Sequence, residues 1–141
     1  MRTDLAVRAV HAGQMRVNVH VREHTLKMDY PAAAGALPTP LEVLLASLAA
    51  CAANTLNLVL CRKMGATIES LEVEARAERR GEHPTVLTKI ELVYHLRGHL
   101  RGETLAAEMM TDAVRVAEVQ LCPVLNMLRS GTQISSTWQM D

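Results

Sequence analysis

Two cysteines stand where thiol chemistry is favoured. Cys51 lies inside the apolar stretch Leu41 to Cys61, with Ala49, Ala50, Ala52 and Ala53 around it. Small neighbours leave room beside its sulfur. Cys122 comes directly before Pro123. Proline suits the first position of a helix, so Cys122 is expected at a helix N-terminus, where the dipole favours a thiolate. A reactive thiol and a partner that resolves it fit this pattern. Two buried structural thiols fit the same residues, and at this point both readings stand.

The third cysteine, Cys61, follows Cys51 by ten residues. On one helix that is roughly 15 Å of rise, whereas a disulfide needs Cα atoms within about 7 Å. Cys51 and Cys61 therefore cannot pair in the folded state, and Cys61 reads as a small buried hydrophobe. Cys122 carries no such restriction. His20/His24 and His95/His99 are each four residues apart. Both pairs fall in expected strand or turn, where that spacing does not converge on an ion, so no metal site is expected.

The elements that must hold these side chains follow from pattern. Leu5, Val7 and Ala9 alternate with polar residues, then Val17, Val19 and Val21 do so after a turn at Gly13-Gln14. A third strand is expected over Thr25–Tyr30. Residues 31–40, PAAAGALPTP, read as a loop. Thr39, Pro40 and Glu42 form a helix-start signature, T-x-x-E with proline at the first position. The helix should run to about Met64, with Gly65 closing it. Leu71–Ala77 and Ile90–Leu96 alternate as a hairpin with one wet and one buried face. A helix over Glu103–Val119, a short one from Pro123 to about Ser130–Gly131, and a strand over Thr132–Met140 complete an α+β chain, read as one domain over 1–141.

Composition narrows the function. The chain has 141 residues, no Phe, one Trp, two Tyr and eight Met, so its core is built from Leu, Val, Ala and Met. Its formal net charge is zero, and nothing points to nucleic acid. The first ten residues include Arg2, Asp4 and Arg8 and form no continuous apolar segment. A cytoplasmic location is therefore expected, where cysteines stay reduced unless catalytic or redox-sensing. The stretch Leu41–Cys61 has the length of a membrane span, but Glu42, Asn54 and Asn57 would be costly in lipid. It reads as a core helix and no membrane is expected. One chain has little with which to cover a helix apolar on all sides. Ala46, Ala49, Ala50 and Ala53 would admit a second helix closely, so a homodimer is expected.

The run P-T-P-L-E-V-L-L-A-S-L-A-A-C from Pro38 to Cys51 resembles the central-helix motif of the OsmC/Ohr family, and L-C-P-V at Leu121–Val124 resembles its second cysteine motif. Element order and length agree, so the resemblance spans essentially the whole chain. It implies an α+β fold in which an antiparallel sheet packs on a long central helix, in an intertwined homodimer. It also implies a cysteine peroxidase acting on organic hydroperoxides or hydrogen peroxide, with Cys51 peroxidatic and Cys122 resolving. Cys51 would become a sulfenic acid, Cys122 would close a disulfide, and an external dithiol reductant would reopen it. No cofactor or metal is implied.

Peroxidases of the family add an Arg–Glu pair to activate the thiol. In the Ohr branch the glutamate follows the helix-starting proline at once; here that position is Leu41 and the acid is Glu42. Nine residues along an ideal helix put Glu42 roughly 13 Å from Cys51 and on the opposite face. Glu42 thus serves either a partner subunit's site or the capping box with Thr39. Arg16, in the turn His11-Ala12-Gly13-Gln14-Met15-Arg16, is the nearest candidate arginine, with Arg22 next. The displaced acid keeps open an alternative: a dimeric OsmC-like redox sensor or binder of a small apolar ligand, without efficient peroxidase activity.

Overall fold

The computed structural model describes residues 4–30 and 36–141. The chain divides into two compact units, Met1–Leu44 and Leu45–Asp141. The expected loop at 31–40 lies in part, at residues 31–35, outside the described residues.

The first unit holds a three-stranded antiparallel meander, β1 (Arg8–His11), β2 (Val17–Val21) and β3 (His24–Met28). Its first turn uses positive φ at Gly13 and Gln14, and its second uses Arg22 at φ 54°. A left-handed backbone matches the twist of a tight hairpin. Strand β1 begins later than alternation alone suggested, at Arg8, where Arg8 pairs opposite His20.

Helix α1 (Pro40–Leu58) opens with the expected capping box. The Thr39 amide donates to Glu42 Oε1 at 2.9 Å, and the Glu42 amide donates to Thr39 Oγ1 at 3.2 Å. The helix continues into the second unit and ends in a wider, π-helical turn, Val59–Lys63. Gly65, at φ 75°, then turns the chain away. Pro40–Lys63 is long and apolar enough to cross a membrane. Here, Leu48, Ala52, Leu56, Val59 and Leu60 form a stripe that is completely or almost completely buried. Ala46, Ala50, Asn54 and Asn57 remain exposed. The burial is therefore one-sided in a single chain, not all-round as the composition suggests.

The second unit is built on β4 (Thr67–Arg79) and β5 (Leu87–Leu100), paired antiparallel along almost their full length. Leu71, Val73 and Ala75 share the core face with Ile90, Leu92, Tyr94 and Leu96. The other face carries Glu72, Glu74, Arg76, Glu91 and Arg97, with ion pairs such as Arg97–Glu69 at 3.3 Å. Opposite Gly98 the backbone comes so near that an added Cβ would lie 2.6 Å from the Thr67 carbonyl oxygen, beside an irregularity in β4 at Ile68–Ser70. Only glycine fits that approach.

Two parts of this unit differ from the pattern-based expectation. Glu103–Thr104 forms a short strand, β6, against His99 and Leu100, so the next helix, α2, starts later, at Ala107, and runs to Val116. A tight turn with Arg101 and Gly102 at positive φ reverses the chain there, a signal that helical spacing masks. Strand β7 (Gln133–Met140) lies parallel to β5, with Tyr94 opposite Trp138. A parallel neighbour needs a long crossover, here supplied by α2, a π-helical turn (Ala117–Leu121) and α3 (Pro123–Leu128).

Candidate functional site

Cys51 sits at mid-helix in α1, one residue before the buried Ala52, and is itself half-buried against the core. Cys122 caps α3 from its N-terminal side, and Pro123 occupies the first helical position as proline prefers. The Cys122 backbone leaves the helical region, at φ −76° and ψ 103°, while its N–H still closes the π-helical turn onto the Ala117 carbonyl at 2.8 Å. The Cys122 side chain is completely buried. Its thiol donates a hydrogen bond to Cys51 Sγ, with the sulfurs 3.1 Å apart. All three cysteines are free thiols.

The helix N-terminus does not make Cys122 a ready thiolate. Burial pushes its pKa up to about 11, helped by the hydrogen bond to Cys51. The backbone N–H groups of Leu125 and Val124 pull the other way and lose. Helix α3 has six residues, so its dipole is short, whereas the desolvation of a fully buried sulfur is undiminished.

The remaining candidates have other engagements. Glu42 completes the capping box with Thr39. Arg16 Nε lies 3.6 Å from Asp29 Oδ2, within the first unit, and its side chain is largely exposed. Arg22 occupies the β2–β3 turn. Cys61 differs from the buried hydrophobe expected of it: it is half-buried and donates to Asn57 Oδ1 at 3.2 Å. His20 accepts from or donates to Thr25, His95 faces Glu74, and His99 faces Glu69. Among the described residues no three His, Cys, Asp or Glu side chains gather as a metal site.

Sequence reading missed a polar group beside the thiols. Tyr94, on the core face of β5, is completely buried and donates to Glu118 Oε2 at 2.6 Å. Ser136, on β7, donates to the same oxygen at 2.5 Å. Burial, and then the hydrogen bond to Glu118 and its negative charge, hold the tyrosine hydroxyl far above its ordinary pKa. Tyr94 and Cys122 belong to the same buried core cluster, against which Cys51 also packs. One signal was present in the sequence. Ile134, Ser136, Trp138 and Met140 share one face of β7, and serine is the polar member of that otherwise apolar row.

The family model for OsmC-like proteins matches residues 33–137. The chain belongs to the OsmC family. Its α+β fold, with antiparallel strand pairs and a long helix, recurs in solved structures. The OsmC-like protein from Mycoplasma pneumoniae is similar over 99% of each chain, with a TM-score of 0.85 and 21% identity. An organic hydroperoxide resistance protein from Elizabethkingia anophelis matches over 100% of each chain, at TM-score 0.70 and 20% identity. The organic hydroperoxide resistance protein OhrB of Bacillus subtilis matches over 97% of this chain and 98% of its own, at TM-score 0.65 and 16% identity. No curated protein matches the sequence.

Proposed function

We propose that this OsmC-family chain is a dithiol peroxidase that reduces organic hydroperoxides, or hydrogen peroxide, at Cys51. The observation that carries the reading is the 3.1 Å separation of the Cys51 and Cys122 sulfurs. Family membership and the hydroperoxide resistance proteins among its structural relatives support it.

In the proposed cycle the Cys51 thiolate attacks the peroxide O–O bond. One oxygen stays on sulfur as the sulfenic acid, and the other leaves as an alkoxide or hydroxide that takes up a proton. The Cys122 thiol then displaces the sulfenic hydroxyl, forming the Cys51–Cys122 disulfide and releasing water. An external dithiol reduces the disulfide by exchange and is itself oxidised. The core against which the pair packs is mostly aliphatic, with Tyr94 among its members, which suits an alkyl peroxide better than a charged one. The assignment rests on the two cysteines. Of the activating pair that the resemblance implies, Glu42 is tied to Thr39 and Arg16 approaches Asp29.

The proposal includes a homodimer in the cytoplasm, with residues 1–141 acting as one OsmC-like domain. The exposed Ala46 and Ala50 on the bare side of α1 support a second helix packing there. The engaged state of Glu42 favours one alternative, a redox sensor or apolar-ligand binder in which Cys51 reacts slowly.

Stopped-flow oxidation with cumene hydroperoxide and with hydrogen peroxide, followed by mass mapping, tests the reading. Rapid loss of the Cys51 thiol, faster with cumene hydroperoxide, and a Cys51–Cys122 disulfide are expected. Peroxide consumption by Cys51→Ser protein at the wild-type rate would sink it.

A further inference from the structure

We propose that Glu118 is a positioning residue for Cys122, fixing the resolving thiol against Cys51. Glu118 lies in the π-helical turn Ala117–Leu121, four residues before Cys122. Its side chain and its main chain are both occupied, and in different directions. The carboxylate oxygen Oε2 accepts from Tyr94 of β5 and Ser136 of β7. The Glu118 carbonyl oxygen accepts from Asn126 Nδ2 at 2.8 Å and Arg129 Nη2 at 3.1 Å, both at or just past α3. Asn126 Nδ2 donates in addition to the Cys122 carbonyl at 2.7 Å. One residue therefore ties the segment carrying Cys122 to two strands of the sheet and to the helix that Cys122 caps.

A half-buried carboxylate is a costly way to join helix to sheet unless its hydrogen bonds fix something that apolar packing would leave loose. Here the backbone needs such fixing. A π-helical turn is a local departure from regular helix, and these turns concentrate at functional sites. The chain leaves this one directly into Cys122. Small rotations of the turn would swing the buried sulfur away from Cys51. Fully satisfied polar networks hold one geometry because each hydrogen bond is directional and its loss inside a protein is expensive. Glu118 acts through Tyr94, Ser136 and Asn126 and makes no sulfur contact of its own among its hydrogen bonds, which is why its role is positional.

The inference concerns the same thiol pair as the proposed peroxidase, but its test needs no peroxide. The full-length protein is equilibrated in glutathione redox buffers, and the Cys51–Cys122 disulfide is read by mass to give the effective concentration of the pair. Glu118→Ala is expected to lower it at least about ten-fold, because a loosened thiol pair loses effective concentration. Glu118→Gln keeps an oxygen that can accept from Tyr94 and Ser136, and is expected to stay within about three-fold of wild type. If Glu118→Ala does not fold, Ser136→Ala and Tyr94→Phe each remove one donor and should each lower the value about three-fold. Wild-type values in these variants would overturn the inference, as would a Glu118→Gln protein as impaired as Glu118→Ala, since charge and not position would then matter. A parallel arm gives wild-type protein cumene hydroperoxide. Inertness there, with the redox-buffer effect intact, would remove the peroxidase reading and leave Glu118 in its role.

Discussion

Cys122 stands 71 residues after Cys51, yet the two sulfurs are 3.1 Å apart and hydrogen-bonded. Once peroxide has oxidised Cys51 to the sulfenic acid, only a small movement separates that contact from a disulfide, which spans about 2 Å between sulfurs and forms as Cys122 displaces the sulfenic hydroxyl as water. Replacing Cys122 with serine is expected to leave one round of Cys51 oxidation and stop turnover, with the sulfenic acid persisting. Trapping with a 1,3-diketone and mass spectrometry reads this directly. Continued turnover with a dithiol reductant would assign resolution elsewhere. Cys61→Ala is expected to leave the mapped disulfide unchanged.

The buried state of Cys122 makes stability depend on alkaline pH. Its folded pKa is raised to about 11 from an ordinary 9.0, because burial disfavours the thiolate. The stabilisation is fully present below pH 9 and is lost as pH rises through 11, since the unfolded chain releases this proton first. The slope from this one group is at most about 1.4 kcal/mol per pH unit. Urea unfolding of reduced wild-type and Cys122→Ala protein at intervals from pH 8 to 11 checks it. The gap between the two should narrow with pH, and a constant gap would contradict the burial argument.

Gly98→Ala is expected to destabilise the second unit by about 1–3 kcal/mol, the usual cost of forcing extra volume into a packed place. The new methyl would meet the Thr67 carbonyl at 2.6 Å, and a backbone oxygen in a paired strand has little freedom to withdraw. Chemical denaturation measures the loss. Alanine without effect would mean that the β4 irregularity absorbs the strain.

Thr39→Ala should cost about 1 kcal/mol through the lost cap of α1. Glu42→Gln retains an acceptor for the Thr39 amide and is expected to change stability by less than about 0.5 kcal/mol. Comparing the peroxide rate of Glu42→Gln with wild type then isolates chemistry from capping. An unchanged rate agrees with the cap as the role of Glu42, whereas a rate more than about ten-fold lower would restore a catalytic one.

Much of the fold was legible because its signals are local. T-x-x-E with Pro40 marks the start of α1, and alternation in Leu71–Ala77 and Ile90–Leu96 marks β4 and β5. The parallel pairing of β7 with β5 was not legible, because alternation tells which face is apolar but not which strand lies alongside or in which direction. The short strand at Glu103–Thr104 was hidden by helical spacing and set by pairing with His99 and Leu100. Glu118 falls inside the expected helix Glu103–Val119, where no local pattern sets it apart. Its partners come from β5 and β7, 24 residues before it and 18 after it.

For the thiols the division is equally physical. The sequence by itself determined that Cys51 lies on an apolar helix among alanines, that Cys122 precedes a helix-starting proline, and that helix rise separates Cys51 from Cys61. Those are facts of residue type and short-range geometry. Tertiary structure alone decided that the Cys122 sulfur meets Cys51, and that burial outweighs the short helix α3 and keeps Cys122 protonated. Contact and desolvation depend on what the rest of the chain packs around a group, and no local pattern carries that information.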